Sequence, residues 1–136
     1  MAGYSGTPLP QKLGIKAGAR LGLFNAPKGF DKTLGVLPDG VKTTTQLRGP
    51  LDVAVFFTDK TGDLVKRFAA LAKAVSPAGG LWVSWPKKSS GMKTDLDENV
   101  VRGVGLEGGL VDVKVCAIDD TWSGLKFVVR VKDRPR

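Results

Sequence analysis

Four polar clusters follow apolar segments of the chain, and they hold most of the side chains that could do chemistry. They occupy residues 25–28, 58–61, 84–88 and 118–122. The carboxyl ends of parallel strands meet at one edge of a sheet, and ligands collect there, especially where the strand order reverses. If the apolar segments are strands of one sheet, the four clusters share one rim. We therefore expect any functional site on that rim.

The last two clusters favour a binding site for an anion such as a nucleotide or a phosphate group. Lysine supplies a point charge, and tryptophan supplies a flat face for stacking. Neither role requires a catalytic base. Polar turns also favour Asp, Ser, Pro and Lys for purely structural reasons, so a structural interpretation stays open. The predicted ligand-binding residues are Ser84, Trp85, Lys87, Lys88, Asp119, Asp120 and Trp122.

Asp59 suggests a catalytic alternative. Residues 53–62 read Val-Ala-Val-Phe-Phe-Thr-Asp-Lys-Thr-Gly. The last four resemble the Asp-Lys-Thr-Gly phosphorylation motif of P-type ATPases, which belong to the haloacid dehalogenase class. The resemblance implies an aspartyl phosphotransferase in which Asp59 attacks phosphorus, a lysine screens charge and paired acids hold a metal. The remaining roles would fall to Ser84, to Lys87 or Lys88, and to Asp119 with Asp120.

Composition excludes several kinds of site. The chain has no histidine, which excludes Ser-His-Asp triads and histidine-ligated metals. It has one cysteine, which excludes an intramolecular disulfide and a multi-cysteine zinc site. Cys116 lies within an apolar segment and is predicted to be a buried structural thiol. We therefore expect a binding module rather than an enzyme, with no metal site and no particular cofactor.

The charge balance favours acidic partners. The 136 residues carry 21 Lys and Arg against 13 Asp and Glu, a net charge of +8. Such a balance suits an anionic small molecule or nucleic acid, so a nucleic-acid-associated protein is a second alternative. No apolar run approaches the roughly 18 residues that a membrane span needs. The first residues also lack a secretory pattern. We accordingly expect a cytoplasmic protein with no membrane partner.

The elements that must position these residues follow from hydrophobic patterning. Apolar segments predict strands at residues 20–25, 51–58, 81–85, 111–118 and 125–131, and consecutive threonines predict an edge strand at 41–47. Helices are predicted at residues 30–37, 63–75 and 96–104. The second has the stripe Leu64, Phe68, Leu71 and Val75, and the third follows a capping-box-like start.

Strands that alternate with helices indicate right-handed crossovers and a mainly parallel sheet. The connection between the last two strands is too short for a crossover, so they should form an antiparallel hairpin. The predicted fold class is α/β, a three-layer Rossmann-like sandwich of about six strands. It should span residues 13–131, after an extended arm at 1–12 and before a basic tail at 132–136.

One segment resembles class I methyltransferases, which use S-adenosylmethionine. Residues 71–83, Leu-Ala-Lys-Ala-Val-Ser-Pro-Ala-Gly-Gly-Leu-Trp-Val, are similar to the helix, Pro-Gly-Gly turn and fifth strand of that family. The predicted hairpin at 111–131 is also similar, so the resemblance covers about half the chain. It implies a related architecture. The family has an acidic, glycine-rich turn after its first strand, whereas residues 25–28 are bulky and basic, which implies a lost or different site.

The whole chain more closely resembles a bacterial family of small proteins known as a domain of unknown function. The similar segments are residues 4–9, 12–15, 80–88 and 115–127. This resemblance implies a compact Rossmann-like domain and assigns no chemistry. The predicted function is therefore a non-catalytic binding module for an anionic ligand at the carboxyl ends of the strands. The phosphotransferase and the nucleic-acid-associated protein remain its alternatives.

Overall fold

Ten helices and strands make up the fold in the computed structural model, which describes residues 6–135. In chain order they are α1 (Leu9–Lys12), β1 (Arg20–Phe24), α2 (Phe30–Leu34), β2 (Lys42–Thr44), β3 (Leu51–Phe57), α3 (Thr61–Ala74), β4 (Val75–Pro86), α4 (Glu98–Glu107), β5 (Leu110–Ala117) and β6 (Trp122–Val129). Short 3-10 turns occupy Lys88–Ser90 and Val131–Asp133. None of the helices in this part of the chain is long and apolar enough to cross a membrane.

The strands form one sheet in the order β2-β1-β3-β4-β6-β5. The pairs β1–β2, β1–β3 and β3–β4 are parallel, and β6 is antiparallel to both β4 and β5. This confirms the predicted α/β class, a six-stranded and mostly parallel sheet with an antiparallel C-terminal hairpin. The chain leaves β1 toward β2 on one side and returns to β3 on the other, so the strand order reverses at β1.

Helices cover both faces of the sheet. An apolar cluster that includes Leu13, Phe30 and Trp82 lies between the sheet and helices α1 and α2. A second cluster, which includes Phe68 and Phe127, lies between the sheet and helices α3 and α4. The strand β3 is buried at six of its seven positions, as a central strand covered on both faces must be. The layers therefore follow directly from the continuous apolar run of β3.

Helix α4 shows how local sequence fixes one element against the sheet. The carboxylate of Asp97 accepts a hydrogen bond from the backbone N–H of Val100 (2.8 Å), so the helix is capped at the last residue of the predicted capping-box-like start, residues 94–97. Gly105 lies directly against the ring of Phe127, so that no side chain fits there. Arg102 joins the helix to β5 through an ion pair with Asp112 (2.9 Å).

Several elements differ in their bounds from the sequence-based expectation, including α2, α4 and β6. Residues Leu9–Lys12 form a short helix within the predicted extended arm, because Pro10 suits a first helical turn and Leu9 is buried. Of the predicted edge strand at 41–47, only residues 42–44 pair with β1, so β2 has three residues. Strand β4 begins at Val75, which pairs with Leu51 across an irregular register. Helix α3 therefore ends at Ala74, one residue before the predicted end of the helix. Residues 1–5 lie outside the described part, and the predicted domain bounds stay a prediction.

Candidate functional site

The four predicted polar clusters meet on one rim of the sheet. Hydrogen bonds join the clusters, or the residue next to a cluster, along the rim. The Asn25 side-chain amide donates to the carbonyl of Phe57 (2.7 Å), and the N–H of Thr58 donates to the carbonyl of Ser84 (3.1 Å). The N–H of Lys87 donates to the carbonyl of Thr121 (2.8 Å). The rim is therefore continuous from β1 to the β5–β6 turn.

The two tryptophans of the predicted ligand site lie on opposite faces of the sheet. Trp85 is 6% exposed and belongs to the cluster under α3 and α4. Trp122 is 9% exposed and belongs to the cluster under α1 and α2, where its ring meets Phe57 edge to face at 5.2 Å. Ser84 is fully buried, and its hydroxyl has no hydrogen-bond partner among residues 6–135. These three residues contribute to the interior on both sides of the sheet.

The predicted acids and lysines have different surroundings. One carboxylate oxygen of Asp119 accepts hydrogen bonds from the backbone N–H groups of Thr121 and Trp122, both at 2.8 Å, and so closes the β5–β6 turn. Asp120 is exposed beside it. Within residues 6–135, no group of three or more acidic or cysteine side chains is placed to hold a metal ion. The remaining members, Lys87 and Lys88, are half-buried and exposed respectively.

Asp59 lies in a tightly bonded junction between β3 and α3. The buried hydroxyl of Thr58 donates to the carboxylate of Asp63 (2.9 Å), and α3 begins only two residues after Asp59. The hydroxyl of Thr94 donates to the carbonyl of Asp59 (2.7 Å). The carboxylate of Asp95 accepts the N–H of Thr61, which lowers the pKa of Asp95. The loop before α4 is thus tied to the first turn of α3.

A cavity of about 330 Å³ opens at the carboxyl end of β1, where the strand order reverses. Asn25 begins the turn after β1 with a positive φ of 59°, which asparagine tolerates better than most residues. Gly29 ends the turn at φ 83°, and a side chain there would meet no atom within 4 Å. The turn is therefore open toward the cavity, and Lys28 does not line it.

The cavity carries few but varied polar groups. The polar residues that line it are Asp31 from α2, Thr45 after β2 and Arg67 from α3, together with Asn25. The guanidinium of Arg67 lies 5.3 Å from the ring centre of Phe56, a cation–π contact. An apolar wall with one cation, one anion and two neutral polar groups is typical of a small-molecule site. Of the residues of this site, the sequence pointed only to the turn at residues 25–28, and no motif or spacing indicated Asp31, Thr45 or Arg67.

Comparisons with known proteins bear on the fold. No family model matches the chain, and no curated protein matches it. Several solved structures do. A SAM-dependent methyltransferase from Aquifex aeolicus is 11% identical over 88% of this chain and 87% of that chain, with a TM-score of 0.65. A magnesium protoporphyrin IX methyltransferase from Synechocystis PCC 6803 with bound SAM is 12% identical over 90% and 74%, with a TM-score of 0.57. A ribosomal protein L11 methylase from Lactobacillus delbrueckii subsp. bulgaricus is 12% identical over 90% and 75%, with a TM-score of 0.56.

These neighbours overturn the predicted function. The chain was expected to be a non-catalytic anion-binding module, with a phosphotransferase based on Asp59 or a nucleic-acid-associated protein as alternatives, and not to be an enzyme. Those predictions are wrong, because the similar structures are methyltransferases. The error has a physical source. The bulky, basic turn at residues 25–28 implied a lost or different site, whereas Lys28 does not line the cavity. The resemblance to methyltransferases is confirmed for the fold and extends over most of the chain.

Proposed function

We propose that this protein is a methyltransferase that binds S-adenosylmethionine in the cavity at the carboxyl end of β1. The observation that carries the proposal is the position of the cavity. It lies at the point where the strand order reverses, and open α/β sheets bind their ligands at that point. Its volume of about 330 Å³ is within the range of small-molecule sites. The methyltransferase structures of the same fold support this choice of ligand.

The polar groups of the cavity match the charges of this cofactor. S-adenosylmethionine carries an ammonium group, a carboxylate, a ribose diol and an adenine ring. The Asp31 carboxylate can accept from the ammonium group or the diol, and the Arg67 guanidinium can pair with the carboxylate. Phe24, Pro27 and Phe30 provide the apolar wall for the ring. The residues present therefore fit the cofactor.

The protein would hold and orient the cofactor. When bound, S-adenosylmethionine supplies a methyl group on a sulfonium centre, which passes to a nucleophilic atom of an acceptor. Asn25 fixes the floor of the site, because its side chain ties the turn after β1 to the end of β3. Arg67 is held over Phe56 before any ligand arrives, which reduces the entropy lost on binding. The fold alone does not choose the acceptor.

Binding is tested by isothermal titration calorimetry with S-adenosylmethionine and S-adenosylhomocysteine. We expect saturable 1:1 binding of both, weakened at least about tenfold by Asp31→Asn and by Arg67→Met, which is about 1.4 kcal/mol each. Asp39→Asn and Lys66→Met are matched controls, because both residues are exposed and lie outside the cavity. No heat with either ligand, or equal affinity in all four variants, would overturn the proposal.

Transfer is tested separately by mass spectrometry. The protein and S-adenosylmethionine are incubated with a fractionated metabolite extract, and release of S-adenosylhomocysteine is followed. We expect at least one fraction to accelerate release, and Arg67→Met to reduce that rate while Lys66→Met does not.

Two inferences from the sequence stay predictions. They are membership of the bacterial family that the sequence resembles and a cytoplasmic location.

A further inference from the structure

A second cavity lies at the opposite edge of the sheet, where the parallel strands begin. It has a volume of about 410 Å³ and is bordered by the turn before β1, the start of β3 and the start of β4. Its charged side chains are Lys16, Asp52 and Lys126. The cofactor proposed above would bind at the other end of the strands, so this cavity needs an explanation of its own.

Glycine creates the room in which Lys126 reaches the cavity. Lys126 pairs with Trp82 on the neighbouring strand, and its chain runs across Gly80. A Cβ atom on Gly80 would lie 2.5 Å from Cε of Lys126. A Cβ atom on Gly14, where φ is +79°, would lie 3.6 Å from its Nζ. The path of Lys126 therefore depends on the absence of a side chain at position 80.

The turn that carries Lys16 is fixed by the interior of the protein. The indole N–H of Trp82 donates to the carbonyl of Leu13 at 3.0 Å, and both residues are fully buried. This bond anchors the residues just before Gly14 and Lys16. The two lysines thus reach one cavity from two separate segments, on supports that are in place without a ligand.

The charges at this edge are not balanced. Within residues 6–135, the salt bridges belong to Arg102 alone, with Glu98 and Asp112. The Asp52 carboxylate shares the cavity but accepts the backbone N–H of Arg20 at 2.8 Å. Burial, followed by repulsion from Lys114 and Lys16, lowers the pKa of Lys126. A partly buried ammonium group without a counter-ion is costly, and a bound anion relieves that cost.

We propose that this cavity binds a small molecule through its phosphate groups, which the ammonium groups of Lys16 and Lys126 hold. A neighbouring cavity of about 410 Å³, lined by Gly18, Arg20 and Lys42 among others, continues the basic lining. This favours a ligand with more than one phosphate over a single phosphate. Asp52 can accept a hydrogen bond from a hydroxyl of the same ligand. The site is independent of the cofactor cavity.

Calorimetry with inorganic pyrophosphate and with adenosine diphosphate tests the proposal. We expect saturable binding of at least one of them, weakened about tenfold or more by Lys126→Met and several-fold by Lys16→Gln. Lys73→Met is the matched control, because Lys73 is an exposed lysine on α3, outside the cavity. Tighter binding of the nucleotide would assign the phosphates to a nucleotide, and tighter binding of pyrophosphate to an inorganic source.

Two further measurements separate a binding role from a structural one. Gly80→Ala keeps both lysines but displaces Lys126, so it should also weaken binding. The NMR titration midpoint of the Lys126 ammonium group should rise when pyrophosphate is added, because an anion favours the charged form. The affinity for S-adenosylhomocysteine should be unchanged in Lys126→Met, so failure here is distinct from failure of the methyltransferase proposal. Absent pyrophosphate and nucleotide binding, or equal binding in Lys126→Met, Lys16→Gln and wild type, would overturn it.

Discussion

The two edges of the sheet use their polar side chains in different ways. At the carboxyl edge, Asn25, Thr58 and Asp119 each bond to a neighbouring backbone or side-chain group. At the amino edge, Lys16 and Lys126 share a cavity with no salt bridge to either among residues 6–135. Polar residues at strand ends therefore often serve to hold the rim together through hydrogen bonds. The groups available to a ligand are those that have no hydrogen-bond or ion-pair partner within the fold.

The largest effect on stability should come from Trp122, which was predicted from the sequence to bind a ligand. Trp122→Ala removes a nearly buried ring that packs edge to face on Phe57, so we expect a loss of about 3–5 kcal/mol in the free energy of unfolding. Urea denaturation measures it. Lys88→Ala, at an exposed position of the same rim, should change stability by less than about 0.5 kcal/mol. A small effect of Trp122→Ala would show that this ring is not part of the core.

Asp119 and Asp120 offer a sharper comparison, because they are adjacent and have the same side chain. Asp119→Ala leaves two backbone N–H groups without their acceptor, and we expect it to cost about 1–2 kcal/mol. Asp120→Ala should be within about 0.5 kcal/mol of wild type, since Asp120 is exposed. Both values come from the same denaturation experiment. Equal losses would contradict the assignment of Asp119 to the turn.

The fold was largely predictable because its signals are local. Three signals each specify an element within a few residues: the continuous apolar run of β3, the capping-box-like start at residues 94–97 and the short connection in the C-terminal hairpin. The face of the sheet on which each tryptophan lies is harder to predict. Alternation along β4 places Trp82 and Trp85 on opposite faces, but Trp122 belongs to another strand, and only strand order shows that it lies across the sheet from Trp85.

The sites were less predictable because their residues come from distant segments. Asp31, Thr45 and Arg67 belong to three elements, and no spacing in the sequence connects them. The amino-edge cavity joins Lys16 to Lys126, and the need for glycine at position 80 depends on where the Lys126 chain runs. Whether position 80 must be glycine can be seen only in the folded structure. The composition shows that the protein is positively charged, but not that two lysines meet in this cavity.

The smallest effect should have the opposite sign and so test the comparison most directly. Charge removal at Asp119 destabilises the protein, whereas Lys126→Met should leave it as stable as wild type or slightly more stable at pH 7. The folded-state pKa of Lys126 is lowered from 10.5 by burial and by its lysine neighbours, so the folded protein binds this proton less well than the unfolded chain.

The resulting penalty is fully present below the folded-state pKa and is relieved as pH rises toward 10.5. Wild type should therefore gain stability relative to Lys126→Met as the pH rises through the alkaline range toward 10.5, measured as the difference in melting temperature at each pH. Lys73→Met corrects for general lysine titration, because Lys73 is exposed on α3. Pyrophosphate should reverse the order at pH 7 by stabilising wild type alone. A Lys126→Met variant that is clearly destabilised at pH 7 without ligand would show that the amino-edge lysine is already satisfied by the fold, and the contrast between the two edges would fail.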